Sequence, residues 1–359
     1  MKRNLALVTS YPIGTGIYRV FQNYANLGIY DNLYYFKSIN NNSLDISPKP
    51  MYREARPKSL PSKLAFALSF NFDSVWRKIS SESDYIHVLE PGFFHLSKCN
   101  IPVVGTVHDL YPLENDTKNA YSFLYKLFYK KDMGYLDNLL GITTISKNTD
   151  RILKKFFPNV TSRTIHHWTP NHFIKLDKFN CRKRFSLPQS KFILLNVSFR
   201  SGNKNLDFLG AVIDSLTDDF LLIHLGNDKV FCKNNNRVKN ITNFMDDNTL
   251  VRLYNAADIY LAPSTSEGFN FPVIEAINCG IPVIASDIPV FHEVLFDSPY
   301  ILPLKSELWA SKIISLTNRS CIKDAICWYK SNIGDYYREN RGRKDFVDFY
   351  ESLGILKVG

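Results

Sequence analysis

Residues 258–287 read DIYLAPSTSEGFNFPVIEAINCGIPVIASD, and this stretch decides the fold class of the chain. The continuous apolar run Ile259–Ala262 predicts a strand that is buried on both faces, and the loop Ser264–Phe271 follows it. Pro272 has the fixed φ that suits the first position of a helix, and the apolar run Pro282–Ala285 predicts the next strand. Strand, loop, helix and strand in this order indicate a parallel α/β layer.

The same alternation of apolar runs and helical patterns extends along most of the chain. Strands are predicted at Leu5–Thr9, Leu33–Phe36, Tyr85–Leu89, Pro102–Val107, Gly141–Ile145, Phe192–Val197, Phe220–Leu225, Ile259–Ala262, Pro282–Ala285 and Tyr300–Leu302. Helices are predicted around 17–27, 62–79, 119–131, 147–156, 205–216, 247–256, 272–278, 289–296 and 306–317. A charged, irregular segment at about 166–190 separates the two series and is interpreted as a linker. The pattern therefore predicts two Rossmann-like α/β domains.

Composition excludes several classes of protein. The 359 residues are 45% hydrophobic and 22% charged, which favours a globular protein and excludes a disordered one. No apolar run approaches the roughly 18 residues that span a bilayer, and the apolar stretch after Asn4 is too short for a signal peptide. The six cysteines have no CxxC spacing, so neither a zinc site nor a disulfide framework is expected. Reduced thiols and a cytoplasmic location are expected.

Positive charge is concentrated toward the N-terminus. Residues 1–170 contain 21 Lys+Arg and 13 Asp+Glu, a net charge of +8, whereas residues 171–359 contain 23 and 21, a net charge of +2. A basic half of this kind could face nucleic acid, an anionic membrane surface or an anionic substrate, or serve solubility alone. The helical pattern at 119–131 combines an apolar stripe, which includes Phe123, Leu124 and Leu127, with Lys130 and Lys131.

Two carboxylates flank the start of the helix predicted at 272–278. Glu267 lies in the loop and Glu275 lies eight positions later, in the first turns of the helix. The free N–H groups of residues 268–273 form an anion site, beside which two carboxylates would accept hydrogen bonds from sugar hydroxyls. Repulsion prevents the carboxylates themselves from binding a phosphate. Alternatively, Glu275 complements the helix dipole and Glu267 is an exposed loop residue.

The stretch SEGFNFPVIEAINCGIPVIASD, with its Glu-x7-Glu spacing, resembles the donor-binding signature of the retaining glycosyltransferases of family 4. The resemblance implies the GT-B fold, an α/β architecture of two Rossmann-like domains facing each other across a cleft. It implies that Glu275 binds the ribose hydroxyls of a nucleotide and that Glu267 contacts the transferred sugar. Backbone amides in the loop would hold the sugar and phosphate, and these belong to Gly268, Phe269, Asn270 and Phe271. Asn270 stands where this family commonly has Gly, and Asn tolerates the left-handed conformation.

The resemblance also assigns roles to residues outside this stretch. In NVSFRSGNKNLDFL, residues 196–209, Arg200 and Lys204 resemble the basic pair that neutralises the donor diphosphate. Lys204 could instead be an exposed residue at the start of a helix. In SYPIGTGIYR, residues 10–19, Gly14 and Gly16 resemble the glycine loop between acceptor and diphosphate, although a plain turn is an alternative. The GxGxxG dinucleotide fingerprint fails there because Arg19 occupies the third glycine position.

Histidines suggest one catalytic position and no metal site. His108 follows a predicted strand, and the resemblance implies that it reaches the donor sugar and the acceptor, whereas a lone His at a strand end is more often structural. His166, His167 and His172 lack carboxylate or Cys partners at metal-ligand spacing, so no metal site is predicted. His292 is interpreted as structural.

The resemblance as a whole implies a metal-independent, retaining glycosyltransferase that uses a nucleotide diphosphate sugar as co-substrate and no cofactor. The expected acceptor is a hydroxyl of a glycan or a lipid-linked molecule. Residues 1–168 would bind the acceptor and residues 169–335 the donor, while the helix at 336–359 would cross back to the N-terminal domain. The basic half then favours an anionic membrane surface on the cytoplasmic side, with the protein peripheral to it, and nucleic acid is not expected as a partner.

Three other classes remain open from the sequence. The chain could be a GT-B protein that binds nucleotide-sugars or glycans without turnover, against which the intact Glu267, Glu275 and Lys204 argue. A basic nucleic-acid-binding protein would show salt-sensitive affinity for DNA or RNA that is indifferent to nucleotide-sugars. A hydrolase of the same fold would release free sugar when no acceptor is present.

Overall fold

The computed structural model describes residues 4–11, 15–35, 79–98, 100–114, 120–198 and 202–356. The chain divides into two compact units, one formed by residues 1–166 with 342–359 and the other by residues 167–341. The helix predicted at 62–79 lies outside the described residues, apart from Ile79. Each unit contains its own six-stranded sheet.

In the first unit every pair of neighbouring strands is parallel. The strands are β1 (Leu5–Thr9), β2 (Asn32–Tyr35), β3 (Tyr85–Val88), β4 (Val103–Val107), β5 (Gly141–Thr144) and β6 (Arg163–Thr164). Their order across the sheet is β2-β1-β3-β4-β5-β6. The residues of β1 and β4 are all buried, as expected for strands covered on both faces. The short, polar β6 was not predicted.

The described residues of the first unit contain four α-helices before the C-terminal one, and the first and the last of the four begin at polar caps. They are α1 (Gly16–Ala25), α2 (Tyr111–Glu114), α3 (Ala120–Met133) and α4 (Lys147–Phe156). Thr15 precedes α1, and its hydroxyl oxygen accepts a hydrogen bond from the Tyr18 N–H at 3.2 Å. Ser146 caps α4 in the same way, accepting from the Thr149 N–H at 3.0 Å. Among the helices of the described residues, none has the length and apolar character needed to cross a bilayer.

The second unit also has an entirely parallel sheet. Its strands are β7 (Phe192–Val197), β8 (Phe220–Leu225), β9 (Val238–Ile241), β10 (Ile259–Ala262), β11 (Val283–Ser286) and β12 (Ile301–Leu302). Their order, β12-β11-β10-β7-β8-β9, is that of a doubly wound Rossmann sheet. The order reverses between β7 and β10. In such sheets ligands bind outside the carboxyl ends of the strands at this reversal, so the topology fixes where a site should lie.

The helices of the second unit include one that the sequence interpretation missed. They are α5 (Lys178–Arg184), α6 (Leu206–Asp214), α7 (Asp247–Ala256), α8 (Phe271–Asn278), α9 (Pro289–Val294), α10 (Ser306–Ser315) and α11 (Arg319–Asn332), and α12 (Glu339–Ser352) follows. Part of the charged segment interpreted as a linker is α5. Asp177 caps this helix, and Arg182 is 5% exposed with its guanidinium 2.5 Å from Asp258. The buried ion pair ties this segment into the unit.

The C-terminal helix α12 packs against the first unit from Gly342 onward. Phe346, Phe349 and Tyr350 are buried, and the Phe346 ring lies 4.2 Å from the Tyr24 ring, measured between centroids. The Tyr350 hydroxyl lies 2.7 Å from Nδ1 of His87 in β3. A long aromatic face therefore completes the core of the first unit.

Helix α3 presents a different face to the core from the one its pattern suggests. The apolar stripe predicted from the sequence faces outward, because Phe123, Leu124 and Leu127 are 52%, 44% and 49% exposed. Tyr129 and Met133 are buried instead, and the Tyr129 hydroxyl donates to the carbonyl of Asp109 at 2.6 Å. The helix has apolar residues on two faces, and the hydrogen-bonding face is the buried one.

Candidate functional site

Two loops of the second unit meet where the strand order reverses. The first follows β7 and includes the short 3₁₀ turn Gly202–Lys204, and the second follows β10. The Asn203 side-chain amide donates to the carbonyl of Ser266 at 2.6 Å, and the Thr265 N–H donates to the carbonyl of Asn203 at 2.8 Å. These reciprocal hydrogen bonds lock the two loops together. Polar side chains on these loops are therefore held at the carboxyl ends of β7 and β10, where the strand order reverses and a ligand is expected to bind.

Glu267 receives three hydrogen bonds on one carboxylate oxygen. Oε1 lies 2.5 Å from Nζ of Lys204 and accepts from the Ser264 hydroxyl at 2.6 Å and from the Asn270 amide at 2.9 Å. The Glu267 side chain is 8% exposed and that of Lys204 is 19% exposed. None of the described residues donates to Oε2. An ammonium has three N–H donors, so Lys204 keeps donors for a ligand while it pairs with Glu267.

Asn270 has the left-handed conformation expected for it, with φ 74° and ψ 78°, and it is the residue from which α8 begins. Because a carboxylate can only accept hydrogen bonds, the side-chain group that faces Glu267 must be the NH₂ of the amide. The amide oxygen then points away, and it is buried without a hydrogen-bond partner among the described residues. Pro272 is the second residue of α8, one position later than the sequence predicts, and still lies in the first turn.

Glu275 lies inside α8 and is buried, 3% exposed. Its Oε2 accepts a hydrogen bond of 2.7 Å from the hydroxyl of Tyr254 in α7. Burial, and then the negative charge of Glu275, raise the pKa of Tyr254 well above its ordinary value. The phenol therefore stays protonated and acts as a donor. A buried carboxylate held by a donor is more consistent with a built site than with a surface residue that complements the helix dipole.

Aromatic residues of the segment between the two glutamates pack in a buried cluster with His167 and Tyr337. Phe269 and Phe271 are buried, and the imidazole of His167 stacks on Phe271 with ring centroids 5.1 Å apart. Phe269 contacts the Tyr337 ring edge-on at 5.5 Å. The side chains of Phe269 and Phe271 thus pack within the second unit. Among the described residues, no group of three or more His, Cys, Asp or Glu side chains is arranged to hold a metal ion.

The remaining predicted site residues lie in the first unit or outside the described residues. Gly16 is the first residue of α1 and is exposed, whereas Gly14 and Arg200 lie outside the described residues. His108 directly follows β4 and is 8% exposed. Burial lowers the pKa of His108 to about 3, so its imidazole is neutral at physiological pH. A neutral ring can donate or accept a hydrogen bond but carries no charge.

Sequence reasoning missed the residues that hold the two glutamates. Asn203, Ser264 and Tyr254 were not singled out, although each bonds to a loop or a carboxylate of the site. Asn203 and Ser264 are short polar residues that follow strands β7 and β10, and this pattern could have identified them. Tyr254 gave no such signal, because its aromatic ring fits the apolar face of α7.

Solved structures of other proteins share this architecture along the whole chain. A sucrose-phosphate synthase from Thermosynechococcus elongatus has a TM-score of 0.79 at 16% identity, covering 98% of this chain and 99% of its own. HepE of Anabaena, solved with UDP and glucose, has a TM-score of 0.74 at 14% identity, covering 98% and 100%. WaaG, described as a glycosyltransferase involved in lipopolysaccharide biosynthesis, has a TM-score of 0.72 at 15% identity, covering 99% and 100%. The fold is GT-B. The expected fold class is therefore confirmed.

One sequence match lies wholly within the second unit of this GT-B chain. Residues 177–322 match the family model described as Glycosyl transferases group 1. The O-antigen chain mannosyltransferase RfbU of Salmonella typhimurium is 39% identical over 94 residues, which cover 26% of each chain. The O-antigen biosynthesis glycosyltransferase WclY of Escherichia coli is 28% identical over 251 residues, covering 66% of this chain and 64% of WclY. The chain thus spans less than two thirds of the length of either relative in these matches.

Proposed function

We propose that this GT-B chain is a glycosyltransferase that moves a sugar from a nucleotide diphosphate donor to an acceptor hydroxyl. The observation that carries the proposal is the group formed by Lys204, Glu267 and the buried Glu275 at the carboxyl ends of β7 and β10. It combines a cation for a diphosphate with carboxylates for sugar hydroxyls. It also lies within the segment that matches Glycosyl transferases group 1.

Each side chain has a part in this proposal. Glu275 binds the ribose hydroxyls, and Glu267 uses Oε2 to bind a hydroxyl of the transferred sugar. Backbone amides at the start of α8 hold the phosphates, because the first N–H groups of a helix lack intrahelical partners. Negative charge accumulates on the diphosphate as the glycosidic bond breaks. Lys204, together with Arg200, stabilises that charge more in the transition state than in the ground state.

The reaction proposed is the retaining, metal-independent one expected for family 4. The acceptor attacks from the face that the diphosphate leaves, and a phosphate oxygen takes the acceptor proton. His108 contributes a neutral imidazole to the donor sugar and acceptor, and Gly14 and Gly16 contribute backbone to the diphosphate. Catalysis then depends on orientation and electrostatic stabilisation and needs no covalent intermediate.

The names of the relatives support a glycan or lipid-linked acceptor. RfbU and WclY are both described as proteins of O-antigen synthesis, and the match to WclY extends over 66% of this chain. We propose that the acceptor here is of the same chemical class, a growing surface glycan or its lipid-linked form. Synthesis of such a molecule would place the protein on the cytoplasmic side of a membrane.

Helix α3 supports a peripheral position on that membrane. Its exposed Phe123, Leu124 and Leu127 form an apolar row, and Lys130 and Lys131 lie exposed in the last turn. Apolar side chains with flanking lysines suit the surface of an anionic bilayer. We expect vesicles rich in anionic phosphatidylserine to retain the protein at low salt. Replacing Phe123 and Leu127 by Ser should release it, and retention unchanged by these substitutions would exclude α3 as the contact.

A panel of nucleotide-sugars tests the proposed reaction. One donor should bind and show slow hydrolysis, transfer should persist in EDTA, and NMR of the product should show the anomeric configuration of the donor retained. Glu275→Ala should abolish nucleoside diphosphate binding and Lys204→Ala should lower turnover severely. Exposed Glu307→Ala and Lys183→Ala serve as matched controls. Unchanged nucleotide affinity in Glu275→Ala would refute the ribose assignment, and wild-type turnover in Lys204→Ala would remove Lys204 from the diphosphate.

A further inference from the structure

Asn270 makes a contact that a backbone role at this position does not require. Its left-handed φ of 74° would be met equally well by Gly, which has no Cβ to oppose that conformation. The side chain nevertheless reaches back to Glu267, with 2.9 Å between Nδ2 and Oε1. The contact joins the residue that begins α8 to the carboxylate beside which the proposed sugar would lie.

Asn270 is also unfavourable for the stability of the fold. Asn tolerates the left-handed conformation better than most residues, but Gly, which has no Cβ, adopts it at a lower cost. The amide oxygen is buried without a partner among the described residues, and a buried acceptor that lacks a hydrogen bond destabilises the folded state. Two destabilising features at one residue favour a functional reason for its presence, as is found where strain is retained at binding sites.

The two carboxylate oxygens of Glu267 have different partners: Oε1 accepts hydrogen bonds from the protein, and Oε2 is left for a ligand. Lys204, Ser264 and Asn270 all bond to Oε1, which is thereby saturated, and no described residue donates to Oε2. The terminal torsion of a Glu side chain has a broad, soft preference, so a carboxylate without fixed partners rotates easily. Ser264 and Asn270 donate from the loop after β10, and Lys204 donates from the 3₁₀ turn after β7. Together the three donors fix the plane of the carboxylate.

We propose that Asn270 is a positioning residue, whose side-chain amide orients Glu267 so that Oε2 faces a hydroxyl of the transferred sugar. The proposal rests on the proposed function, because it assigns the sugar to Glu267. Removing the amide should leave nucleotide binding intact, since the ribose partner Glu275 is held separately by Tyr254. The change should appear in kcat, because the orientation of the sugar matters most in the transition state.

The test compares Asn270→Gly and Asn270→Asp with the control Ser186→Gly. Ser186 has φ 51° in the turn after α5, so its replacement relaxes a left-handed residue remote from Glu267. Asn270→Gly should remain folded, bind UDP or GDP with unchanged affinity, and lose about 100-fold in kcat, the loss that follows when a reacting group is misplaced by about 1 Å. Ser186→Gly should keep the wild-type kcat.

The kcat of Asn270→Asp should depend on pH in a way that a purely structural role of Asn270 would not produce. Asp tolerates the left-handed conformation, but its carboxylate would repel Glu267 at neutral pH. When protonated, the same group regains an O–H donor for Oε1. The kcat of Asn270→Asp relative to wild type should therefore rise as the pH is lowered, whereas the relative kcat of Asn270→Gly should stay flat. A flat relative profile for both variants would overturn the proposal.

A crystallographic comparison separates this inference from the proposed function. In the wild type, Glu267 should occupy one conformer with Oε1 on Lys204 and Ser264, and in Asn270→Gly it should occupy more than one. An unchanged single conformer, or wild-type kcat in Asn270→Gly, would refute the positioning role. If no nucleotide-sugar binds or reacts with the wild type, the proposed function fails, and the carboxylate conformers still decide whether Asn270 orients Glu267.

Discussion

Tyr254→Phe should destabilise the second unit through the loss of a single hydrogen bond to a buried charge. The substitution removes the hydroxyl that donates to Oε2 of Glu275 at 2.7 Å and leaves the ring in place. Glu275 is 3% exposed, so water cannot readily replace the lost donor. Hydrogen bonds to charged groups contribute about 1.5–3 kcal/mol, and we expect the free energy of unfolding to fall by about that amount.

A second buried tyrosine offers a matched control. Tyr260 lies beside Tyr254, with ring centroids 6.0 Å apart, and its hydroxyl donates to the carbonyl of Val197 at 3.1 Å. Tyr260→Phe removes a hydroxyl whose two partners are both neutral. Its bond to the Val197 carbonyl is expected to contribute about 0.5–1.5 kcal/mol, and the Val197 N–H donates to the hydroxyl over a longer distance of 3.4 Å. Urea denaturation followed by circular dichroism measures both variants. The two losses should differ by about 1 kcal/mol, which is the difference between charged and neutral acceptors.

A double-mutant cycle decides whether the loss arises from Glu275. The variants are Tyr254→Phe, Glu275→Gln and the pair, and residues in contact commonly couple by about 0.5–3 kcal/mol. We expect a coupling of at least about 1 kcal/mol, since both single variants remove the same charge-assisted bond. A coupling below about 0.3 kcal/mol, the level found for independent sites, would refute the argument that Tyr254 holds the carboxylate.

Acid should destabilise the first unit, because burial lowers the pKa of both His87 and His108 to about 3. In the unfolded chain these imidazoles bind protons below about pH 6.5, so the free energy of unfolding should fall as pH decreases from there toward 3, by up to about 1.4 kcal/mol per pH unit for each. Urea midpoints between pH 6.5 and 4.5 measure this, and a flat dependence would contradict it. Gly210→Ala should greatly reduce soluble, folded protein, because its Cβ would lie 2.1 Å from the Phe231 carbonyl oxygen, whereas Gly202→Ala meets open space and should be tolerated. Equal expression and equal melting temperatures for the Gly210→Ala and Gly202→Ala variants would show that the backbone at Phe231 moves away to accommodate the new Cβ.

Strands buried on both faces were the predictable part of the fold. Runs such as Phe220–Leu225 are apolar except for His224, and the structure has a strand at those residues. The strands β6 and β9 were missed because they are short and contain polar residues, Arg163 and Thr164 in β6 and Lys239 and Asn240 in β9. Helix α5 was missed for a related reason. Its charged residues are typical of a linker, and the helix is held in the unit by the ion pair between Arg182 and Asp258. That ion pair is a tertiary contact, which the local sequence does not reveal.

The candidate site was predictable where its chemistry depends on spacing along the chain. Glu267 and Glu275 were identified because the loop and helix between them have a recognisable pattern, and the assignment of their roles stays a prediction. The contacts that hold them could not be read from spacing, since Tyr254 lies 21 residues before Glu275 and Lys204 lies 63 residues before Glu267. Such pairs arise only when parallel strands bring distant loops to the same edge of the sheet.

The path of the chain through α12 has a consequence for the order of folding during synthesis. The second unit is one continuous segment, residues 167–341, whereas the first unit needs residues from both ends of the chain. A ribosome therefore releases every residue of the second unit before it releases Phe346 and Tyr350, which complete the aromatic core around Tyr24 and His87. The segment made first must wait longest for its final packing partners, and its unfinished surface is what a chaperone would meet on the nascent chain.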